Sequence, residues 1–501
     1  MRYLLAHDIG TSGDKATLFT EDGKAVASQL ETYPLYQEGA LYAEQDAEDW
    51  WNAFCRSTKV LLEKSGTDPE NIEAVSFSGQ MMGCLPVDEY GRPLRRSIIW
   101  ADQRSQEEVA LLRARIPDER FYSISGHGNT PSYSIQKAMW IKRHEPQIYE
   151  KTRAFLNAKD YIVLRLTGRF VTDVSDANGV AAFDLKGLSW SEEIVDASGI
   201  DMKKLPEIVP STCMVGTVGK KAAELCGLSE KTKVIMGAGD GVAANVGAGS
   251  VKSGTAYLCM GTSAWVASTE TEPLFDEKRR SVTWAHAVPG LYSPNATMQY
   301  CCGTYDWFRN TLMTDEIRYA EENGRDVHEM LERMASEAEP GSNGLVFLPH
   351  LLGERAPRWN PNMQGAYIGL TGMTRRCDIV RATFEGISYN LAMCLDAVNV
   401  KGNINEITLI GGGAKNEFWA QLLADMFGMP TVIQNMTGDA NSMGAAVIAG
   451  VGSGLFSDFS AVDRFISVKK RFLPRPELTA FYGEGKKRFD EVYHAVEPLF
   501  S

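Results

Sequence analysis

Two stretches in opposite halves of this chain carry the same device: a β-rich run, a turn of Gly, Thr and Ser, and a second β-rich run. They are "LLAHDIGTSGDKATLF" at residues 4–19 and "TAYLCMGTSAWVAST" at residues 255–269. A turn of glycine and hydroxyl residues can aim several N–H and O–H groups at one point, which makes a phosphate cradle without a helix. One such loop alone reads as well as a turn whose Thr and Ser satisfy their own backbone. Two of them point to a duplicated domain rather than a solenoid, whose repeats run roughly 20–50 residues. The two copies could face each other across a cleft.

At 501 residues the chain exceeds what one core usually fills, so two domains are expected. With 44% hydrophobic and 23% charged residues it has the composition of an ordinary globular protein. A net charge of -13 gives no footprint for nucleic acid as a partner. It does not exclude a phosphate-bearing small molecule, which backbone dipoles can hold against the global sign. The apolar start Leu4, Leu5, Ala6 stops at His7 and Asp8, far short of a signal peptide core, and no run is long enough to span a membrane. Nine cysteines without regular spacing, Cys301 and Cys302 adjacent, read as reduced thiols of a cytoplasmic protein. There is no CxxC, HExxH or ligand-spaced His cluster for a transition metal.

The opening predicts strands over 3–9, 14–20 and about 25–33, with Asp-Gly in "EDGK" as the second turn. Trp50, Trp51, Phe54, Thr58, Leu61 and Leu62 then recur at helical spacing, with Asp46 as N-cap and Gly66 as stop. A buried strand is expected over 72–79. "MGAGDGVAANVGAGSVKSG", residues 236–254, could be a hinge, a phosphate loop or a loose surface loop, and composition favours the last. In "LIGGGAKNEFWAQLLADMFG", residues 409–428, a strand turns through Gly411, Gly412 and Gly413 into a helix and presents bare backbone at the helix start. The spacing is neither GxGxxG nor GxxxxGK[ST], so neither a dinucleotide fold nor a P-loop is implied.

"SYSIQKAMWIKRH", with Lys137, Trp140 and His144, resembles the first signature of the FGGY carbohydrate kinases, though Ala138 replaces a larger apolar residue. "GAYIGLTGMTRRCDIVRATFE" is similar to the second signature throughout, and "DIGTSGDK", "GAGDG", "MGTSAW", "FLPHLLGERAP" and "IGGGAKNEFWAQ" follow in the family's order. The resemblance implies an α/β fold of two actin-like (ribonuclease H-like) domains, each with a mixed five-stranded sheet, facing across a central cleft. Residues 1–246 would carry the sugar and the base, and residues 247–501 the nucleotide.

Carried over residue by residue, the resemblance makes Asp8 the Mg²⁺-associated acid. Gly10, Thr11, Ser12, Lys15, Gly261, Thr262 and Ser263 become the ATP phosphate loops. Gly411, Gly412, Gly413 and Asn416 become the adenosine segment, and Asp240 the base that takes the sugar hydroxyl proton. An Asp of ordinary pKa would suffice, because the alcohol acidifies only as it attacks. Without the resemblance, Asp240 between two glycines would read as a solvated turn acid.

"SGQMMGCLPVDEYGRPLRRSIIWADQR" resembles the sugar-contact segment of xylulokinases, with Gln80, Met81, Trp100 and Asp102 matching. Met82 stands where those enzymes commonly have histidine, which removes one polar partner. D-xylulose leads as substrate, with another ketose or polyol behind it. Asp102 either accepts sugar hydroxyls or pairs with an arginine. His7, His286 and His350 read as packed groups. The partners are a small sugar and ATP, a homodimer is compatible with the family, and the competing class is a non-catalytic actin-like nucleotide switch with no need of a base.

Overall fold

Two almost continuously buried runs make the first hairpin, and the third strand alternates half-buried and exposed positions. A computed structural model describes residues 2–436 and 438–500. β1 (Tyr3–Ile9), β2 (Gly13–Thr20) and β3 (Ala25–Thr32) run antiparallel. β4 (Ile72–Gly79) lies parallel to β1 on its other side. β5 (Met214–Thr217), β6 (Lys233–Ile235) and β7 (Ala238–Gly239) complete the sheet in the order β5-β6-β4-β1-β2-β3, with β7 paired to the end of β4.

The second sheet repeats this plan. β8 (Ala256–Met260) and β9 (Ala264–Ser268) form its hairpin, followed by β10 (Val282–Ala285), β11 (Tyr292–Met298), β12 (Ile407–Ile410), β13 (Thr431–Met436) and β14 (Ile466–Phe472). The order is β10-β11-β9-β8-β12-β13-β14, with β8 parallel to β12 and antiparallel to β9. Five strands in each sheet therefore match in order and direction, as the twin turns imply. The expected five-stranded sheets are nevertheless corrected to seven. β5 and β7 extend the first five, and β10 and β14 flank the second, because unpaired N–H and C=O groups at a sheet edge favour further pairing.

Helix boundaries follow local chemistry. α1 (Ala47–Ser65) starts where the Asp46 carboxylate accepts from Glu48 N at 2.9 Å and stops at Gly66, left-handed with φ 63. α2 (Ser134–His144), α3 (Ala158–Thr167) and α4 (Val174–Gly179) follow. Trp50 and Phe54 of α1 and Tyr161 and Ile162 of α3 cover one face of the first sheet against Leu5 and Val75. Each such buried side chain contributes about 1.5–3 kcal/mol.

The glycine-rich stretch is not a loose loop: it forms β7 and then α5 (Asp240–Gly247). α6 (Cys302–Leu312), α7 (Arg376–Val398), α8 (Glu417–Phe427) and α9 (Ala440–Ser453) belong to the second half. Phe384, Ile387 and Leu391 of α7 fill the second core with Leu258, Val266 and Leu409. α9 crosses over, placing Met443, Val447 and Ile448 against Leu4, Ala6 and Ala74 of the first sheet. It meets α5 so closely that a Cβ on Gly247 would lie 1.9 Å from Ala440 O, and one on Gly444 1.9 Å from Ala243 O. Gly247 thus serves close helix packing, while Gly237 and Gly239 admit close approach of Phe77 and Met81, roles composition alone cannot separate from flexibility.

Candidate active site

Asp8 stands one residue before the end of β1, with Lys15 of β2 opposite it on one side and Ser78 of β4 on the other. The Ser78 hydroxyl donates to Asp8 Oδ1 at 2.7 Å. The turn beyond is closed by Gly10 N donating to Gly13 O at 3.0 Å. Trp100 Nε1 donates to Thr11 Oγ1 at 2.9 Å, Gln45 Nε2 donates to Thr11 O at 2.6 Å, and the Tyr33 hydroxyl donates to Gly10 O. The turn is held from beneath while Ser12 stays exposed at its tip.

The second turn is one residue shorter, since Met260 pairs with Ala264 whereas Ile9 pairs with Asp14. Gly261 N donates to Ser263 O at 3.0 Å. The start of α6 braces it from outside, with Cys302 N on Gly261 O at 3.0 Å and Cys301 N on Thr262 O at 2.8 Å. Thr262 is exposed and Ser263 half-buried. Gly411 sits against this turn, where a Cβ would come 2.6 Å from Met260 O. Gly411 and Gly412 are exposed beside it, and Gly413 is half-buried. Asn416 caps α8, its Oδ1 accepting from Trp419 N at 2.7 Å, so that oxygen is committed to the helix.

Asp240 is the first residue of α5, and Gly241 N donates to its Oδ1 at 2.7 Å. Burial pushes its carboxyl up to about 6, against this single opposing hydrogen bond. The expected ordinary pKa is corrected accordingly. The Tyr257 hydroxyl of β8, itself accepting from Trp265 Nε1 at 2.8 Å, donates to Gly241 O at 3.1 Å. That bond ties the Asp240 turn to the second sheet. On the other side Met81 packs on Gly239 so tightly that a Cβ there would lie 2.5 Å from the Met81 side chain.

Two groups at the N-terminus of α9 escaped the sequence reading. Asp439 Oδ2 accepts from Lys15 Nζ at 2.7 Å, and Asn441 Nδ2 lies 3.2 and 3.3 Å from the two oxygens of Asp8. The signal was present as "GDANSMGAAV", an Asp with Ser three residues on before a run of small residues. Asp439 does cap the helix, accepting from Ser442 N at 2.9 Å.

Asp8 is pushed up to about 7, first by burial and then by the Asp439 and Asp240 carboxylates, against the bonds from Ser78 and Asn441. Asp8 is thus within electrostatic reach of two further carboxylates, and Lys15 is the cation paired with one of them, Asp439. A site so short of positive charge suits a divalent cation. Among the described residues no three carboxylate, His or Cys groups converge to hold a metal by themselves. Mg²⁺ would thus take part of its shell from phosphate oxygens and water, beside Asp8.

In the segment that follows β4, Gln80 N donates to Ile9 O at 2.8 Å and Gln80 Nε2 to Gln45 Oε1 at 2.7 Å, while its buried Oε1 has no partner among the described residues. Met82 has φ 62, and its carbonyl accepts from the buried Lys137 Nζ at 2.6 Å, which gives the signature lysine of α2 a role in shaping this loop. The Met82 side chain joins an apolar cluster with Trp284. Asp102 requires a correction. Its oxygens accept from Ala43 N at 2.7 Å, from Arg104 N at 3.0 Å and from the Arg104 guanidinium at 2.7–3.0 Å, and the residue is 0% exposed. The ion pair, not a sugar hydroxyl, occupies it. His7, His286 and His350 are buried, and His7 Nδ1 lies 3.0 Å from Asp14.

The "FGGY family of carbohydrate kinases, N-terminal domain" matches residues 3–247 and the corresponding C-terminal domain residues 256–453. A xylulose kinase of Bacillus subtilis is 32% identical over 503 residues, covering 100% of this chain and 98% of its own. A gluconokinase of Bacillus licheniformis is 30% identical, covering 99% and 96%. Ligand-bound xylulose kinase from Lactobacillus acidophilus superposes with a TM-score of 0.91 at 28% identity, covering 100% of this chain and 99% of its own. A gluconate kinase from the same organism gives the same values. No helix among the described residues is long and apolar enough to cross a membrane. On these grounds the chain belongs to the FGGY family of carbohydrate kinases, enzymes that use ATP as phosphate donor, and is a sugar kinase rather than a non-catalytic nucleotide switch.

Proposed function

We propose that the enzyme transfers the γ-phosphoryl group of ATP to a hydroxyl of D-xylulose, giving D-xylulose 5-phosphate and ADP. The observation that carries this is Asp8 at the end of β1, bonded to Ser78 and Asn441 and within electrostatic reach of the buried Asp240 carboxylate. In this reading residues 1–246 hold the sugar and residues 247–501 the nucleotide. Asp240 takes the hydroxyl proton as the sugar oxygen bonds to the γ-phosphorus and the bond from that phosphorus to the β,γ-bridging oxygen breaks. Lys15, Thr11, Ser12, Thr262 and Ser263 orient the phosphate tail. Mg²⁺, held beside Asp8, would neutralise phosphate charge. Gly411 to Gly413 leave room for the nucleoside.

A sugar acid is the second reading, because gluconokinases stand beside xylulose kinases among the relatives. One residue favours it. Arg355 has no ion pair or side-chain hydrogen bond among the described residues, and it lies near enough to Tyr133 that its charge partly offsets the rise burial gives that hydroxyl. The Tyr133 hydroxyl is 3.1 Å from His127, whose ring lies tilted against Trp284 at 4.3 Å, in the cluster that includes Met82. Coupled ADP release measured with D-xylulose and D-gluconate side by side decides between them. The proposal expects kcat/KM at least about tenfold higher for D-xylulose, in line with the discrimination a polar contact provides. A preference for D-gluconate overturns it.

A further inference from the structure

Beneath the site, four charged side chains are sealed from solvent. Lys159 Nζ lies 2.9 Å from Asp160 Oδ1, 2.7 Å from Asp173 Oδ1 and 2.9 Å from Asp176 Oδ2, and all four side chains are 0% exposed. Three carboxylates around one ammonium cannot all ionise in a dry interior. Burial, with Asp160 and Asp173 adjacent, pushes Asp176 well above the usual carboxylate range. Such a cluster is costly to bury, so a purely structural role would be served as well by apolar residues.

Two hydrogen-bonded arms lead outward from it. Along one, Asp173 Oδ2 accepts from the Ser175 hydroxyl at 2.6 Å, and that Ser175 oxygen accepts from Gly239 N at 2.9 Å, immediately before Asp240. Along the other, Asp160 Oδ2 accepts from Asn157 N at 3.0 Å, and Asn157 Oδ1 accepts from Gly83 N at 2.8 Å, immediately after Met82. Lys159 also underlies the start of the sugar segment, since a Cβ on Gly79 would lie 3.0 Å from Lys159 Cβ.

We infer that the Lys159 cluster is a positioning device that fixes two loops relative to each other: the base through Ser175 and Gly239, and the sugar segment through Asn157 and Gly83. It rests on the reading of Asp240 as base. The two arms end on different functions, so they predict different kinetic defects. A buried charge cluster has few alternative geometries, because each displaced carboxylate loses its partner in low dielectric. That rigidity supplies the sub-ångström placement a general base needs.

The structure also supplies an internal control. Ser211 Oγ donates to the same Asp173 Oδ2 at 2.7 Å, but its hydroxyl is not the acceptor for Gly239 N, which bonds to Ser175. Ser175→Ala is expected to lower kcat about tenfold with sugar KM within about twofold, whereas Ser211→Ala, which removes an equivalent bond, leaves kcat within about twofold. Asn157→Ala is expected to raise sugar KM about tenfold with kcat little changed. Ser175→Cys, a poorer acceptor of similar shape, should give the Ser175→Ala pattern at smaller amplitude and stands in if the alanine variant does not fold. Thermal unfolding of every variant separates loss of fold from loss of position. Asp240→Asn is run in parallel. If it keeps normal turnover, the base reading fails and the inference with it. If it is inactive while Ser175→Ala is normal, or while Ser175→Ala and Ser211→Ala fall together, the positioning device alone is overturned.

Discussion

Lys15 Nζ lies 2.7 Å from Asp439 Oδ2, a bond that joins the first hairpin to the N-terminus of α9 across 424 residues of sequence. Both side chains are partly exposed, at 39% and 35%, so the pair contributes little to stability, about 0–1 kcal/mol. Under the proposed function its partial exposure has another use, since Lys15 would exchange the carboxylate for a phosphate oxygen. Lys15→Met is therefore expected to raise KM for ATP about tenfold, as loss of one charge-assisted contact does, with sugar KM and the melting temperature nearly unchanged. Initial-rate kinetics with each substrate varied in turn check it. Equal effects on both KM values would count against a phosphate role.

Asp240 gives a pH dependence whose sign is fixed by its burial. A base must be deprotonated, and this carboxyl is pushed up to about 6. The rate kcat/KM should stay level only above about pH 8 and fall as pH drops through about 7 and then about 6, where Asp8 and Asp240 take up protons in turn, steepening beyond the tenfold per pH unit of a single group. An exposed aspartate would hold its activity to about pH 4. Asp240→Asn should bind ATP normally in calorimetry and lose at least about 10²-fold in kcat. A profile flat down to pH 5 would exclude Asp240 as the titrating group.

Asp8 illustrates function held against stability. Its folded pKa, raised to about 7, lies above the unfolded value, so the carboxylate costs nothing in strong acid and its penalty grows as pH rises towards 7. Asp8→Asn should therefore raise the melting temperature without nucleotide or metal, by more at pH 8 than at pH 5, while abolishing turnover with Mg-ATP. Differential scanning calorimetry at the two pH values provides the test. A destabilised variant at pH 8 would mean that the Ser78 and Asn441 bonds outweigh the repulsion.

Much of this was legible in sequence where the signal is local. Strands β1 to β4 and helix α1 follow from short β-rich apolar runs, the Asp-Gly turn, helical spacing, the Asp46 cap and the Gly66 stop, all of which act within a few residues. The Asp8 and Asp240 loops were found through motifs. What could not be read depends on contacts distant in sequence. Nothing near Asp439 and Asn441 says that their helix end lies against β1, and nothing near Asp102 says that Ala43 N and Arg104 will fill its oxygens. The glycines of 236–254 read as a loose loop for the same reason, because what they pack on, such as Phe77 for Gly237 and Ala440 for Gly247, lies far off in sequence.

The α5–α9 crossing offers the last test. A Cβ on Gly444 would stand 1.9 Å from Ala243 O, and backbone cannot rotate away as a side chain can. Gly444→Ala must push the two helices apart, and overpacking of this kind costs about 1–3 kcal/mol or more. Displacing α5 moves Asp240, its first residue, and displacing α9 moves Asn441 away from Asp8. The variant should therefore lose both melting temperature and kcat, and lose kcat even well below its melting point. An intact rate at a lowered melting temperature would show that the crossing stabilises the fold without setting the geometry of the site.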